Sequence, residues 1–525
     1  MWLSTRLLIG VFGVLVLNGE AKKPCVQRVY PDAGGLPAIG CVCNAAGCDD
    51  VDPVGQLQTG SFAMYLTSAA GSRLDRIDSR FIALPNSSNT VTVDPRIKYQ
   101  SIIGFGGAMT DASGINIQAL SPDLQQQILQ DYYGANGIQY TMTRVPVGSC
   151  DFSTRAYSYC DTTNDFDMAT FALTDDDNLM KIPLLQKAKS LVEATGDQLK
   201  LFATAWSSPG WMKNTGRMKG GGYLLGATNG PYYMAFAKYY RRFFEEYQKQ
   251  GLSFWGMTPE NEPTEAADPS YGWQALFFNG SYERDFIRYS LGPQLKGSDV
   301  TKDIKIMIGD DQRYVHPAFA DTIFADPEAT KYVDGIAMHW YDDNNTGPGV
   351  LDDLHNRYPD KFILYTEACS WWKAANGDVV MGAWWGVDQY AHNIIEDLNH
   401  WSTGWNDWNL ILDIQGGPNW VGNYVDAPMT AFPSQQEYVK NPMFYGLGHF
   451  SKFIRPGYRR VAITVPAGLE GTAFVSPDGK QRVVVLLNRS TSQTVSASLQ
   501  DASLSNRFAN IQLGPASIAT LLWTE

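Results

Sequence analysis

Phe254-Trp-Gly-Met-Thr-Pro-Glu-Asn-Glu262-Pro263 runs from a short apolar, strand-like segment straight into a carboxylate, an amide, a second carboxylate and a proline. Phe362-Ile-Leu-Tyr-Thr-Glu367-Ala-Cys369 repeats the plan, a buried-strand pattern that delivers a carboxylate at its C-terminal end. Working outward from these two stretches, strand-like segments alternate with helical ones. The strands are Ser101 to Phe105, Gln139 to Val147, Lys200 to Trp206, Phe254 to Thr258, Ile304 to Ile308, Gly335 to His339, Phe362 to Tyr365, and a weaker eighth from Ser402 to Trp408. Between them Leu124 to Tyr133, Tyr232 to Gln248 and Ala391 to His400 carry the spacing of helices that cover a parallel sheet. Eight such units predict an α/β fold, a (β/α)8 TIM barrel. Glu262 then follows the fourth strand and Glu367 the seventh, so both face the C-terminal mouth where barrel enzymes build their sites. A pair of carboxyls at one mouth suits glycosidic bond cleavage: one, protonated, donates to the leaving oxygen, while the other, ionised, attacks the anomeric carbon.

From Arg460 onward the pattern changes to short runs separated by turns, Val461 to Val465, Val483 to Leu487, Thr494 to Leu499 and Ser517 to Trp523, with no helix between them. This predicts a β-sandwich, completed by strand-like material near Gly60 to Ile82, which brings the two ends of the chain together. The expected organisation is a leader over 1–21, a cysteine-rich β subdomain over 22–53 joined by about 410–441, a sandwich from 54–99 and 458–525, and the barrel from 100–409 and 442–457.

A chain of 525 residues, 44% hydrophobic, can bury a large core. Its net charge of −13 and pI near 5.0 argue against nucleic acid as a partner, because no basic field exists to replace phosphate counterions. Arg6, the apolar run Leu7 to Leu17 and Gly19-Glu20-Ala21 have the order of a secretory signal peptide. The run is too short to span a bilayer, which needs roughly 20 apolar residues, and no later segment supplies a transmembrane helix. Cys25, Cys41, Cys43 and Cys48 suit an oxidising route, with three pairings open. A zinc site is the competing reading, weakened by Cys-x-Cys spacing and by the lack of any histidine before His316. Cys150, Cys160 and Cys369 remain, and a Cys150 to Cys160 bridge is left open. Asn86, Asn279, Asn344 and Asn488 head glycosylation sequons, the last directly after an apolar strand and so the poorest acceptor. Gly104-Phe-Gly-Gly-Ala-Met109 breaks the dinucleotide fingerprint at Met109, and no nucleophile elbow or phosphate loop occurs. Neither a cofactor nor a metal is called for.

Thr258-Pro-Glu-Asn-Glu-Pro263 and Thr366-Glu-Ala-Cys369 resemble the glucosylceramidases (acid β-glucosidases) of glycoside hydrolase family 30, and the similarity extends from Cys25 to the C-terminus. The resemblance implies Glu262 as acid/base, Glu367 as nucleophile, and the disulfides Cys25–Cys41 and Cys43–Cys48. Asn261 is expected to hydrogen-bond the sugar 2-hydroxyl and Asp151, beyond the second strand, to accept from sugar hydroxyls. Trp206, Tyr341, Trp408 and Asn423 are expected at the substrate, Tyr271 and Trp273 near it, with Arg144 and His339 in support. Arg144 is expected to hold Glu367 ionised. The implied activity is retaining hydrolysis of glucosylceramide, in the lysosomal lumen or after secretion, assisted by a saposin-type activator and an anionic phospholipid surface. The alternatives are another family 30 activity, xylanase or β-1,6-glucanase, and an inactive sugar- or lipid-binding paralogue.

Overall fold

The computed structural model describes residues 23–31, 34–370 and 377–525; the leader expected over 1–21 lies outside them. Eight parallel strands close into a barrel: Gly104–Ala108, Met142–Pro146, Lys200–Thr204, Phe254–Met257, Lys305–Gln312, Val333–His339, Phe362–Glu367 and Ser402–Asn409, the eighth pairing back onto the first. The helices between them include Pro122–Tyr133, Pro231–Lys249 and Trp385–Asn399. The first two begin on a proline, Pro122 and Pro231, at the first turn where a missing N–H costs nothing. The longest, Pro231–Lys249, turns Tyr233, Phe236, Tyr240, Phe243, Phe244 and Tyr247 inward, the i, i+3, i+4, i+7 stripe of a helix lying on a sheet.

Two expected strands are placed differently. Ser101 ends a long strand, Thr90–Ser101, that belongs to the sandwich; the first barrel strand starts only at Gly104, after Ile102 N has donated to Tyr458 O and Ile103 N to Thr403 O. The backbone groups of these two residues are thus satisfied by the junction between the two units. Strand five continues four residues past Ile308, because Gly309 and Asp310 take positive φ, +83° and +61°, and form a bulge within the ladder, which runs on to Gln312.

The sandwich is one continuous nine-stranded sheet assembled from both ends of the chain. Thr90–Ser101 pairs with Arg459–Thr464, and Ser61–Ser68 pairs with Ser517–Thr524. Its two edges meet through reciprocal backbone hydrogen bonds between Ile82 and Phe508, so the sheet rolls over a core of Phe62, Val91, Val461, Val484, Leu499 and Trp523. A third, five-stranded sheet joins Gln27–Tyr30 and Ala38–Asn44 to Ile411–Asp413, Met429–Phe432 and Glu437–Lys440. Disulfides Cys25–Cys41 and Cys43–Cys48 staple it, which removes the zinc alternative. Cys150, Cys160 and Cys369 are buried free thiols, so no Cys150–Cys160 bridge forms. Among the described residues no helix is long and apolar enough to cross a membrane.

Candidate active site

The two-residue repeat of a strand builds the site in layers. Met142, Phe202, Met307, Ala337 and Leu364, one each from strands two, three, five, six and seven, form an apolar cluster inside the barrel. Two residues further along each strand the side chains point inward again, and there they are polar: Arg144, Thr204, His339 and Thr366, all buried. Strand five would place Gly309 at that level, but its bulge brings in Asp310 instead. Asp310 is the hub. It accepts from Arg144 Nη2 at 2.7 Å, Thr366 Oγ1 at 2.6 Å, Thr258 Oγ1 at 2.8 Å, His339 Nε2 at 3.2 Å and Thr204 Oγ1 at 3.3 Å. Burial opposes its charge, yet Arg144 and His339 outweigh burial and hold the carboxyl well below the usual range.

The catalytic candidates stand on this layer. Arg144 hydrogen-bonds Glu367 Oε2 through Nη1 and Asn261 Oδ1 through Nη2 at 2.7 Å, and its guanidinium lies 4.8 Å from the Trp206 ring and 5.3 Å from the Trp408 ring. Tyr341 donates its hydroxyl to Glu367 Oε1 at 2.8 Å. Glu262 Oε1 meets Gln312 Nε2 and His339 Nδ1, each at 3.0 Å, while Tyr271 approaches Oε2 at 3.4 Å. Glu262 itself sits at φ +43°, in the left-handed region a side chain rarely occupies. Its N–H donates to Asp310 O and that of Asn261 to Ala205 O, both at 2.9 Å, so the loop after strand four is pinned to strand five and to the residue following strand three. One carboxylate oxygen from each glutamate and a nitrogen of His339 all lie within 4.8 Å of one another.

Protonation follows from these contacts. Burial works against charge on His339, but Glu367 and Asp310 overcome it and raise its pKa to about 10, so both ring nitrogens donate. Burial raises Glu367, while His339, Arg144 and the Tyr341 hydroxyl pull the other way; burial prevails and the carboxyl lies above its ordinary value. This corrects the expectation that Arg144 would hold it low, because the same burial that strengthens the pair also strips water from the carboxylate. Asp151, driven by burial, rises to about 7 despite accepting from Asn423 Nδ2 at 2.9 Å and Asn419 Nδ2 at 3.2 Å.

A cavity of about 380 Å³ opens over the pair. Glu262, Glu367, Asp151, Trp206, Asn261, Tyr341, Trp408 and Asn423 all line it, as do Tyr271 and Trp273, while Arg144 and His339 support it from below. Trp206 and Trp408 stack with ring centroids 5.1 Å apart, a flat apolar wall suited to the C–H face of a sugar. Sequence reading missed Asp310, Gln312, Glu265, Tyr314 and Asn419. The expected fifth strand stops at Ile308, short of Gly309-Asp-Asp-Gln312, and the signal that could have found this segment is the polar run itself, at the same level as Glu262 and His339.

Residues 102–454 match the glycosyl hydrolase family 30 TIM-barrel domain and residues 457–521 the family's β-sandwich domain. The chain is similar to the lysosomal acid glucosylceramidase of Mus musculus, 41% identical over 523 residues that cover 98% of this chain and 99% of that one. Among solved structures it resembles SrfJ from Salmonella typhimurium, with TM-score 0.80 and 28% identity over 89% of this chain and all of that one. It also resembles the endo-β1,6-glucanase BT3312, with TM-score 0.77 and 25% identity, again over 89% of this chain and all of the other. Barrel, sandwich and paired glutamates thus converge with these matches: the chain belongs to glycosyl hydrolase family 30.

Proposed function

We propose that the protein is a retaining β-glucosidase that hydrolyses glucosylceramide to glucose and ceramide through a covalent glucosyl-enzyme. The observation that carries the retaining mechanism is the approach of the Glu262 and Glu367 carboxylates to within 4.8 Å. Retaining glycosidases hold their carboxyls about 5 to 5.5 Å apart, whereas inverting ones need roughly 6.5 to 9.5 Å to admit a water between carboxylate and sugar. Near-full-length similarity to a lysosomal acid glucosylceramidase supports the choice of substrate.

Glu367 attacks the anomeric carbon from the barrel floor, guided by Arg144 and Tyr341. Glu262 gives its proton to the ceramide oxygen, then takes one from the water that releases glucose. Asn261 bonds the sugar 2-hydroxyl, an interaction that strengthens as positive charge develops on the ring. Asp151, oriented by Asn419 and Asn423, accepts from hydroxyls further round it, and Trp206 with Trp408 carries the ring's apolar face. The reading extends to a lumenal, lysosomal setting with a saposin-type activator and an anionic phospholipid surface, supported by the leader-like N-terminus and the family resemblance.

The test is turnover of glucosylceramide by purified protein near pH 5, beside β-1,6-glucan and xylan. Release of glucose from the glycolipid alone is expected; turnover of a polysaccharide and not the lipid sinks the substrate assignment. An aryl glucoside then separates the two glutamates: added azide should restore turnover to Glu262→Ala with retention of configuration. Rescue of Glu367→Gln by azide with a retained product reverses the roles.

A further inference from the structure

Cys369 lines the cavity two residues beyond Glu367 and is 3% exposed. Its Sγ lies 3.2 Å from the hydroxyl oxygen of Tyr341. A phenol has one proton, and that of Tyr341 is directed at Glu367 Oε1, 2.8 Å away. The contact between sulfur and phenol oxygen therefore needs a proton from the other side, and the thiol supplies it: burial keeps Cys369 in its protonated form, its pKa raised well above the ordinary value. The backbone keeps the arrangement in register, since Cys369 O accepts from the indole Nε1 of Trp340, the neighbour of Tyr341, at 3.0 Å.

From this geometry we infer that Cys369 is a positioning residue: its S–H donates to Tyr341, holding the tyrosine proton on the Glu367 carboxylate. The inference deepens the glycosidase reading of the same site and rests on it for its kinetic consequence, though not for the hydrogen bond itself. Donation into the phenol oxygen makes Tyr341 a stronger donor in turn, because hydrogen bonds in a chain polarise one another. A stronger bond to the charged form of Glu367 favours ionisation. Loss of the thiol therefore raises the Glu367 pKa further, and the nucleophile is lost to protonation at a higher pH than before.

Two measurements test this, one of them independent of turnover. The S–H stretching band of Cys369, identified as the band missing from Cys369→Ser, should lie at the low frequency of a hydrogen-bonded thiol and move up in Tyr341→Phe. A band indifferent to Tyr341→Phe overturns the inference whatever the enzyme's activity. In kinetics with an aryl β-glucoside, Cys369→Ala should move the acidic limb of kcat/KM upward by about 0.3 to 0.5 pH unit, a two- to threefold effect below that limb. Cys369→Ser should restore most of it, and in a Tyr341→Phe background the alanine substitution should have no further effect on the limb. An acidic limb of Cys369→Ala that coincides with wild type, in protein of unchanged melting temperature, also refutes it. Absence of all glucosidase turnover alongside a Tyr341-dependent S–H band instead counts against the proposed function and leaves the hydrogen bond established.

Discussion

At the scale of single residues the site is governed by burial competing with charge. Five ionisable groups, Arg144, His339, Asp310, Glu262 and Glu367, are linked in a chain of ion pairs at the base of the cavity. Arg144 joins Asp310 to Glu367 and also reaches Asn261, so it sets the geometry of Glu367 and of the residue next to Glu262 at once. Its removal leaves two buried carboxylates, Asp310 and Glu367, without the guanidinium that hydrogen-bonds both, which costs about 3 to 5 kcal/mol. Arg144→Gln is therefore expected to lower the melting temperature and to abolish turnover together; a variant of unchanged melting temperature contradicts the ion-pair account. The pH profile reads the same balance. Because burial raises Glu367 above the ordinary glutamate value of 4.5, the acidic limb of kcat/KM should have its midpoint above 4.5, where Glu367, the proposed nucleophile, ionises in the free enzyme. A midpoint below 4 shows that Arg144 and His339 win over burial.

At the scale of elements, strand five decides more than its sequence suggests. The Gly309–Asp310 bulge turns Asp310 inward and lets Gln312 reach Glu262. Gly309 is at φ +83°, and a Cβ there would stand 2.3 Å from His316 Cε1. Gly309→Ala is thus expected to destabilise by about 1 to 3 kcal/mol through strain and overpacking, and to reduce kcat/KM through displacement of Asp310. Wild-type stability and activity in that variant refute the assigned conformation. The sequons divide along the same lines. Asn86, Asn279 and Asn344 are exposed, and Asn279 uses its carbonyl oxygen to cap a helix, leaving its amide nitrogen outward. Asn488 is fully buried and its Nδ2 donates to Gln493 O, Leu513 O and Gly514 O. Glycopeptide mass spectrometry of protein expressed through a secretory pathway should find Asn488 unmodified; a glycan there rules out the end of strand Gln481–Asn488 as placed.

At the scale of the whole molecule, buried acids favour an acidic optimum of stability. Burial raises Asp151 to about 7, Asp407 to about 8 and Asp311 to about 6. Between an unfolded value near 3.8 and those folded values the native state holds more protons than the unfolded one, so this stability is complete below about 4 and lost as pH rises toward 8. His339, raised to about 10, acts in the same direction above 6.5. His316 and His449, lowered to about 4 and 3 by burial, act the other way between those values and 6.5, and Lys452, lowered to about 7, opposes only above 7. The balance predicts a higher melting temperature at pH 5 than at pH 7.5. The reverse order, measured in one buffer series at constant ionic strength, overturns it.

Glu262 and Glu367 could be found from sequence because each stands at the end of an apolar run, and the alternation of strand and helix that makes a barrel is a local, periodic property of the chain. The rolled sandwich was foreseeable for the same reason, as a run of turn-bounded strands, and so was the mouth to which Trp206, Tyr341 and Trp408 contribute. Asp310 was not. The polar run Gly309 to Gln312 marks the segment but not which of its residues becomes the buried hub, since the partners Arg144, Thr204, Thr258, His339 and Thr366 come from far along the sequence and meet only when the barrel closes. The same holds for the protonation of Glu367. Its neighbour Arg144 suggests a low pKa, whereas burial decides the direction, and burial depends on every side chain that excludes water from the mouth. Identity and order of the chemical groups are written in the chain; their charge states and the bulge that brings Asp310 among them arise from packing between distant segments.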